Sequence, residues 1–215
     1  MNSKSIFRRI ALVASLLLIC SQSVFADGHE HDDVVLKDIP SGNYAVDLTH
    51  ASVVWKVSHF GYSNYVGRFT DFTADIALDV DDFSKSSVMV DIKVDSIDTA
   101  YPNPEKEDFD KKLSEKWLLS KDTPSIIFKS TKVSALSGRN FTIEGDMTMA
   151  GQTHSVTLDA KINGSTPSHR FLKKPLVGFS ATTTLDRTTW GVSKYAPALG
   201  AEVTVEIEGE FIKAD

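Results

Sequence analysis

The fold is decided by the stretch EVTVEIEGEF, residues 202–211. As far as Ile207, aliphatic residues alternate with polar ones. Side chains on a β-strand point alternately to opposite faces, so this segment has one dry face and one wet face. The same alternation recurs through the chain, which indicates an antiparallel sheet closed around an apolar interior.

The alternation predicts eight strands, separated by turn-forming pairs such as Ser137-Gly138 and Ala150-Gly151. Links this short join neighbouring strands into antiparallel hairpins. Eight such strands make an all-β barrel that is either filled by side chains or holds one small ligand. The longer basic segment 164–175 is predicted to be a surface loop at a mouth of the barrel. The predicted strands are 43–59, 67–80, 87–99, 124–135, 140–150, 153–164, 176–188 and 201–213.

One segment departs from the strand pattern and predicts a single short α-helix. Residues 103–105 supply a capping asparagine, a proline in the first turn and an acid near the positive helix end. Phe109, Leu113 and Trp117 follow at helical spacing and form an aromatic and aliphatic stripe. The stripe either covers one end of the barrel as core, which is the simpler interpretation, or belongs to a movable lid.

The first 26 residues are predicted to be a signal peptide that is cleaved after Ala26. Three basic residues precede an apolar run from Ile10 to Cys20, and small residues stand at the cleavage site. The apolar run is too short to span a bilayer comfortably, and no later segment is long and apolar enough to do so. A lipid anchor at Cys20 is disfavoured, because Ile19 stands where a small residue would be needed.

Residues 27–42 are predicted to be a flexible leader, followed by one folded domain at 43–215. In the leader, residues 29–31 (HEH) have the side chains of a transition-metal site. They lack a third fixed ligand, so a solvated tail is the simpler interpretation, and no metal or cofactor is predicted. Loss of the signal removes three basic residues from a formal charge of −6 and leaves −9. This charge argues against nucleic acid or anionic lipid surfaces as partners.

Two residues are candidates for the polar end of a ligand site. His59 is the odd member of an apolar strand face, where it could orient a ligand or act as an acid or base. The alternative is a core histidine that is hydrogen-bonded to the backbone. Arg187 ends the seventh predicted strand, where a guanidinium would suit a phosphate or carboxylate head. The alternative is an internal ion pair with Asp98 or Asp186.

No recognised catalytic motif occurs in the sequence. A Gly-rich phosphate loop after a strand, a Gly-x-Ser-x-Gly elbow and a His-Glu-x-x-His helix are all missing. No catalytic residue is therefore assigned. Two alternatives to a binding protein remain open: an enzyme that acts through His59 and Arg187, and a ligand-free stress or interaction protein with a filled barrel.

Four blocks occur in order along the sequence: HFGYS at 59–63 with GRF at 67–69, TPSIIFKST at 123–131, GDMTMAGQT at 145–153, and DR with WG at 186–191. Taken together, these blocks resemble the YceI-like family of periplasmic, lipocalin-like proteins, which are also called polyisoprenoid-binding proteins. The chain departs from the family's usual pattern at Ser155, where a proline is typical, and at residues 100–104.

The resemblance extends over residues 43–213 and implies an eight-stranded, extended antiparallel lipocalin-like barrel with an elongated apolar pocket. It implies a periplasmic protein that binds a polyisoprenoid, a quinone or a similar long-chain amphiphile, with some members dimeric. The predicted function is therefore that of a carrier. The residues predicted to bind the ligand are Trp55, Val57, His59, Phe69, Phe72, Phe128, Met147, Met149, Phe179, Arg187 and Trp190.

Overall fold

The structure is a computed structural model and describes residues 36–215. The predicted signal peptide and the HEH segment at residues 29–31 lie outside the described residues. One α-helix, α1 (Phe109–Lys112), runs directly into a π-helical turn at Leu113–Trp117. The strand segments are β1 (Gly42–His59), β2 (Ser63–Phe69), β3 (Phe72–Leu78), β4 (Ser87–Lys93), β5 (Ile97–Asp98), β6 (Ser125–Val133), β7 (Asn140–Met149), β8 (Gln152–Thr166), β9 (Leu176–Asp186) and β10 (Leu199–Lys213).

The segments form a closed antiparallel barrel. The sheet runs in the order β10-β9-β8-β7-β6-β4-β3-β1-β2-β5, and β10 also pairs with β1 to close the barrel. Trp55 lies opposite Val205 in the closing ladder. Eight strands surround the interior, as the sequence predicts.

Two of the predicted strands are interrupted. Predicted strand 67–80 covers the end of β2 and all of β3. β2 pairs with the second half of β1, and β3 pairs with its first half. Predicted strand 87–99 consists of β4 and β5 with a 3₁₀ turn between them. The two breaks lie side by side, because Thr70 donates to the Ser96 carbonyl (3.1 Å) and Lys93 donates to the Asp71 carbonyl (2.9 Å). Backbone hydrogen bonds therefore join the two kinks where the barrel wall bends.

One half of the barrel is filled by aromatic side chains. Edge-to-face contacts run from Phe83 to Phe141 (4.9 Å between ring centroids), from Phe141 to Phe179 (6.0 Å) and from Phe179 to Phe211 (5.6 Å). Tyr44 is 1% exposed in the same core and donates its hydroxyl to the Pro40 carbonyl at 2.7 Å. This filled end is where β1 and β9 begin and where β8 and β10 finish.

The filled end also holds two segments that the sequence analysis placed differently. Ile39, from the predicted flexible leader, is 3% exposed and belongs to the core. The basic loop 167–175 joins β8 to β9 at the filled end, so its predicted position at the barrel mouth is wrong. Strand alternation gives the face of each residue but not the end of the barrel to which a loop belongs.

The helix begins later than the sequence predicts. Its N-cap is Asp108, whose carboxylate accepts a hydrogen bond from the backbone N–H of Lys111 at 3.0 Å. Asn103 starts only an isolated turn, in which its carbonyl accepts from the N–H of Lys106. Both residues are good caps, so local sequence could not choose between them. Within residues 36–215, no helix has the length and hydrophobicity needed to cross a bilayer.

Candidate ligand-binding cavity

The half of the barrel opposite the filled end is hollow. A cavity of about 410 Å³ opens where β1 ends and the helix lies. Pockets that hold small molecules have volumes of about 300–1,000 Å³, so this space is large enough for a ligand. Its deeper wall includes Val53, Leu158 and Ile207, and its upper wall includes Val57 and Leu199. The barrel is therefore neither filled throughout nor hollow throughout.

Eight of the predicted ligand-binding residues line this cavity, and three do not. Phe72 is buried in the barrel wall just after the break between β2 and β3. Phe179 belongs to the aromatic core of the filled end. Trp190 is buried, with 4% of its surface exposed, but it is not part of the cavity lining. Its indole N–H donates to the Met147 carbonyl at 3.2 Å. The eight lining residues are Trp55, Val57, His59, Phe69, Phe128, Met147, Met149 and Arg187.

The helix stripe forms part of the cavity wall. Phe109, Leu113 and Trp117 all line the space, and Leu113 is 6% exposed. Trp117 contacts the ring of Tyr195 at 5.8 Å between centroids, which joins the helix to the loop before β10. Tyr195 lines the cavity, but it lies outside any periodic segment, so no sequence signal identified it. Tyr65 was missed because the prediction started its strand at residue 67 instead of residue 63.

Trp55 occupies its place in the wall because Gly67 lies opposite it in the β1–β2 ladder. A Cβ atom at position 67 would lie 2.2 Å from Cζ2 of the indole, which is far too close for two carbon atoms. Glycine therefore gives the ring room against the backbone. The indole Nε1 is buried and has no hydrogen-bond partner among the described residues. The indole N–H of Trp55 is therefore a buried hydrogen-bond donor without an acceptor among the described residues.

His59 lies at the mouth of the cavity. It is exposed, it contacts the edge of Phe60 at 4.7 Å between centroids, and it lies 6.3 Å from the ring of Tyr65. It is therefore not the buried core histidine that was the alternative prediction. Within the described part of the chain, no hydrogen bond orients its ring as an acid or base would require. Contact between His59 and the polar end of a ligand stays a prediction.

Arg187 does not form the internal ion pair that was one of the two predictions for it, and its contact with the head of a ligand stays a prediction. The residue is 7% exposed, and its guanidinium donates to the carbonyls of Gly200 (2.8 Å), Leu199 (2.8 Å), Lys194 (3.1 Å) and Val192. Burial lowers the pKa of this guanidinium from its usual value. The side chain therefore holds the loop 192–200 against the barrel wall.

The carboxylates predicted to pair with this arginine have other partners. Asp98 accepts from Nε of Arg68 at 2.9 Å, and Asp186 accepts from the backbone N–H of Thr188 at 2.9 Å. Lys112, at the mouth, pairs with Glu107 at 2.5 Å, and this hydrogen bond raises the pKa of the amine. The charged groups of the cavity wall are therefore already bonded within the protein. Between residues 36 and 215, no group of three or more His, Cys, Asp or Glu side chains could hold a metal ion.

Comparison with known proteins agrees with this architecture. A family model described as a YceI-like domain matches residues 44–211. A UPF0312 protein from Pseudomonas putida is 32% identical over 175 residues, which cover 80% of this chain and 88% of that protein. The solved structure of the Campylobacter jejuni YCEI protein is 25% identical, covers 74% of this chain and 91% of its own, and has a TM-score of 0.63.

A more distant structure shares the fold. It is a polyisoprenoid binding domain from Saccharophagus degradans, implicated in plant cell wall breakdown, with 7% identity and a TM-score of 0.57. The match covers 80% of this chain and 98% of that domain. The family model spans nearly all of the barrel, and the Pseudomonas relative is similar along most of its length. The chain therefore belongs to the YceI-like domain family.

Proposed function

We propose that this chain is a periplasmic carrier that holds the hydrocarbon part of a polyisoprenoid, a quinone or a similar long-chain amphiphile. The observation that carries the proposal is the cavity of about 410 Å³, which has apolar walls and a mouth at one end of the barrel. The aromatic core closes the other end, so a hydrocarbon chain can enter only from the mouth.

The arrangement of polar groups sets the orientation of the ligand. Burial of apolar surface contributes about 25 cal/mol per Å² before the costs of binding are subtracted. The hydrocarbon therefore lies inside, among residues such as Phe128 and Met147. The polar head lies at the mouth, where His59, Tyr65 and Tyr195 stand.

Two further observations support the proposal. The distant Saccharophagus structure with this fold is named for polyisoprenoid binding. Residues 1–26 have the features of an export signal, which supports a location outside the cytoplasm.

The first experiment is native mass spectrometry of the exported protein from its own host, followed by organic extraction. We expect a co-purifying prenyl, quinone or acyl species at a stoichiometric ratio. A clean apo mass, together with no uptake of added prenyl lipids, would refute the carrier function.

A matched pair of variants tests whether this cavity is the binding site. Val203 points into the cavity, whereas its neighbour Thr204 is not part of the cavity lining. We expect Val203→Trp to fill part of the space and to reduce lipid uptake at least about tenfold, and Thr204→Trp to leave uptake unchanged. Equal uptake by the two folded variants would place the ligand elsewhere.

A further inference from the structure

The loop 167–175, at the end of the barrel opposite the mouth, combines exposed apolar and basic side chains. Phe171 is 79% exposed and Leu172 is 46% exposed. Arg170 lies over the Phe171 ring at 5.7 Å, and Lys173 and Lys174 follow in sequence. This apolar pair is not part of the cavity or of the aromatic core, and neither the fold nor the proposed function uses it.

The loop has a defined shape. The N–H of His169 donates to the carbonyl of Lys174, and the N–H of Lys173 donates to the carbonyl of His169, both at 2.8 Å. Lys173 adopts a left-handed backbone conformation with a φ of 57°. These bonds tie the base of the loop and leave Phe171 and Leu172 at its tip. An ordered tip holds its apolar side chains ready for contact, which lowers the entropy lost on binding.

We propose that this loop docks the protein on an anionic phospholipid bilayer, with Phe171 and Leu172 inserted among the lipids and the basic residues on the phosphates. Apolar side chains flanked by Lys and Arg are the combination that binds membrane interfaces. Lys174 pairs with Asp215 at 2.6 Å, whereas Arg170 and Lys173 form no ion pair with the described residues and can meet lipid phosphates.

The size of the apolar tip favours a bilayer over a protein partner. The exposed fractions of Phe171 and Leu172, applied to about 200 Å² per large side chain, give roughly 250 Å² of apolar area. A stable protein–protein interface buries about 800 Å² on each partner. An inserted tip, in contrast, needs only a few apolar side chains and local positive charge.

The net charge of the predicted mature chain, −9, opposes contact between most of its surface and anionic lipid. The loop is a local exception, because charges more than about 8 Å apart are screened at physiological ionic strength. Since the loop and the mouth lie at opposite ends, a docked molecule would hold its cavity mouth away from the bilayer.

Vesicle flotation tests the proposal. The exported protein is mixed with vesicles of phosphatidylethanolamine with or without phosphatidylglycerol, after mass spectrometry has shown that residues 1–26 are removed. We expect flotation with the anionic vesicles, and weaker flotation at high salt or without phosphatidylglycerol. Failure of the exported protein to float with anionic vesicles overturns the proposal.

Variants assign the binding to the loop. We expect Phe171→Ser to reduce binding at least about tenfold, and Arg170→Glu with Lys173→Glu to abolish it. Tyr62→Ser is the matched control, because Tyr62 is an aromatic residue 90% exposed on a hairpin at the mouth. Equal losses in Phe171→Ser and Tyr62→Ser, or no loss in Phe171→Ser, would refute docking through the loop. The flotation assay can also be carried out with protein from which any bound lipid has been removed. Its result is therefore independent of whether the carrier function is correct.

Discussion

Replacement of Arg187 by methionine should loosen the mouth of the cavity and destabilise the barrel. Methionine keeps much of the apolar stem but removes every N–H donor. Four backbone carbonyls, of Val192, Lys194, Leu199 and Gly200, lose their partner. A hydrogen bond from a charged donor contributes about 1.5–3 kcal/mol, and an unsatisfied buried acceptor costs about 1–3 kcal/mol.

Two effects reduce the sum of these contributions. Removal of a buried charge recovers its desolvation cost, and water can reach part of the loop at the mouth. We therefore expect the free energy of unfolding to fall by about 2–4 kcal/mol. Arg187→Lys should recover only part of this loss, because an ammonium group cannot reproduce the planar fork of donors.

Urea unfolding followed by circular dichroism measures the effect. Arg68→Met is the control, because Arg68 pairs with Asp98 on the surface with its side chain 62% exposed. Its loss should cost no more than about 1 kcal/mol. Amide exchange adds a local reading, since the N–H of Val192 donates to the Arg187 carbonyl at 3.2 Å and should lose protection. Equal stability of Arg187→Met and Arg68→Met, with protection of Val192 unchanged, would refute the role assigned to Arg187.

Three further outcomes follow from the structure. Gly67→Ala should push the Trp55 indole from its place and lower the free energy of unfolding by about 1–3 kcal/mol. The loss should appear as a lower urea midpoint and a changed tryptophan emission, and unchanged emission would contradict this prediction. Phe141→Ala should lower the free energy of unfolding by about 3–5 kcal/mol. It should leave lipid uptake by the folded protein intact, because Phe141 lies in the filled end of the barrel. Loss of uptake would contradict this separation between the filled end and the cavity. Hydrogen bonds from Thr49 and His50 lower the pKa of Asp47 to about 2, below its unfolded value, so its stabilising contribution should be present above pH ~4 and disappear as pH falls to ~2. In an NMR titration, Thr49→Val should raise the pKa of Asp47, because it removes the hydrogen bond from the Thr49 hydroxyl. An unchanged pKa would exclude a contribution from that hydrogen bond.

Some of the site could be predicted from sequence because strand alternation is strict. Trp55, Val57 and His59 are spaced two residues apart on one strand, so their side chains point to the same face. Once one of them is known to face the interior, all three are expected on the cavity side, where the structure has them. Strand alternation also correctly predicted that Phe179 points into the barrel, but it could not predict the position of Phe179 along the barrel axis. Depth depends on the stagger between strands, which is a property of the closed sheet.

The role of Arg187 could not be predicted for a related reason. A buried arginine usually has a carboxylate partner, and its sequence neighbour Asp186 offered one. The actual acceptors are carbonyls of residues 192–200, a loop without periodicity that the closed barrel brings back to the end of β9. Backbone acceptors are present at every residue, so no pattern of residue types marks them.

Sequence by itself determined the closed eight-stranded antiparallel barrel, because a period of two and short turns leave few other ways to bury one face of each strand. It also determined which face of each recognised strand points inward. Tertiary structure alone decided that aromatic rings fill one half of the interior while the other half stays open. Packing depends on how side chains of different sizes meet across the barrel, and residues far apart in sequence, such as Phe83 and Phe141, become neighbours only when the sheet closes.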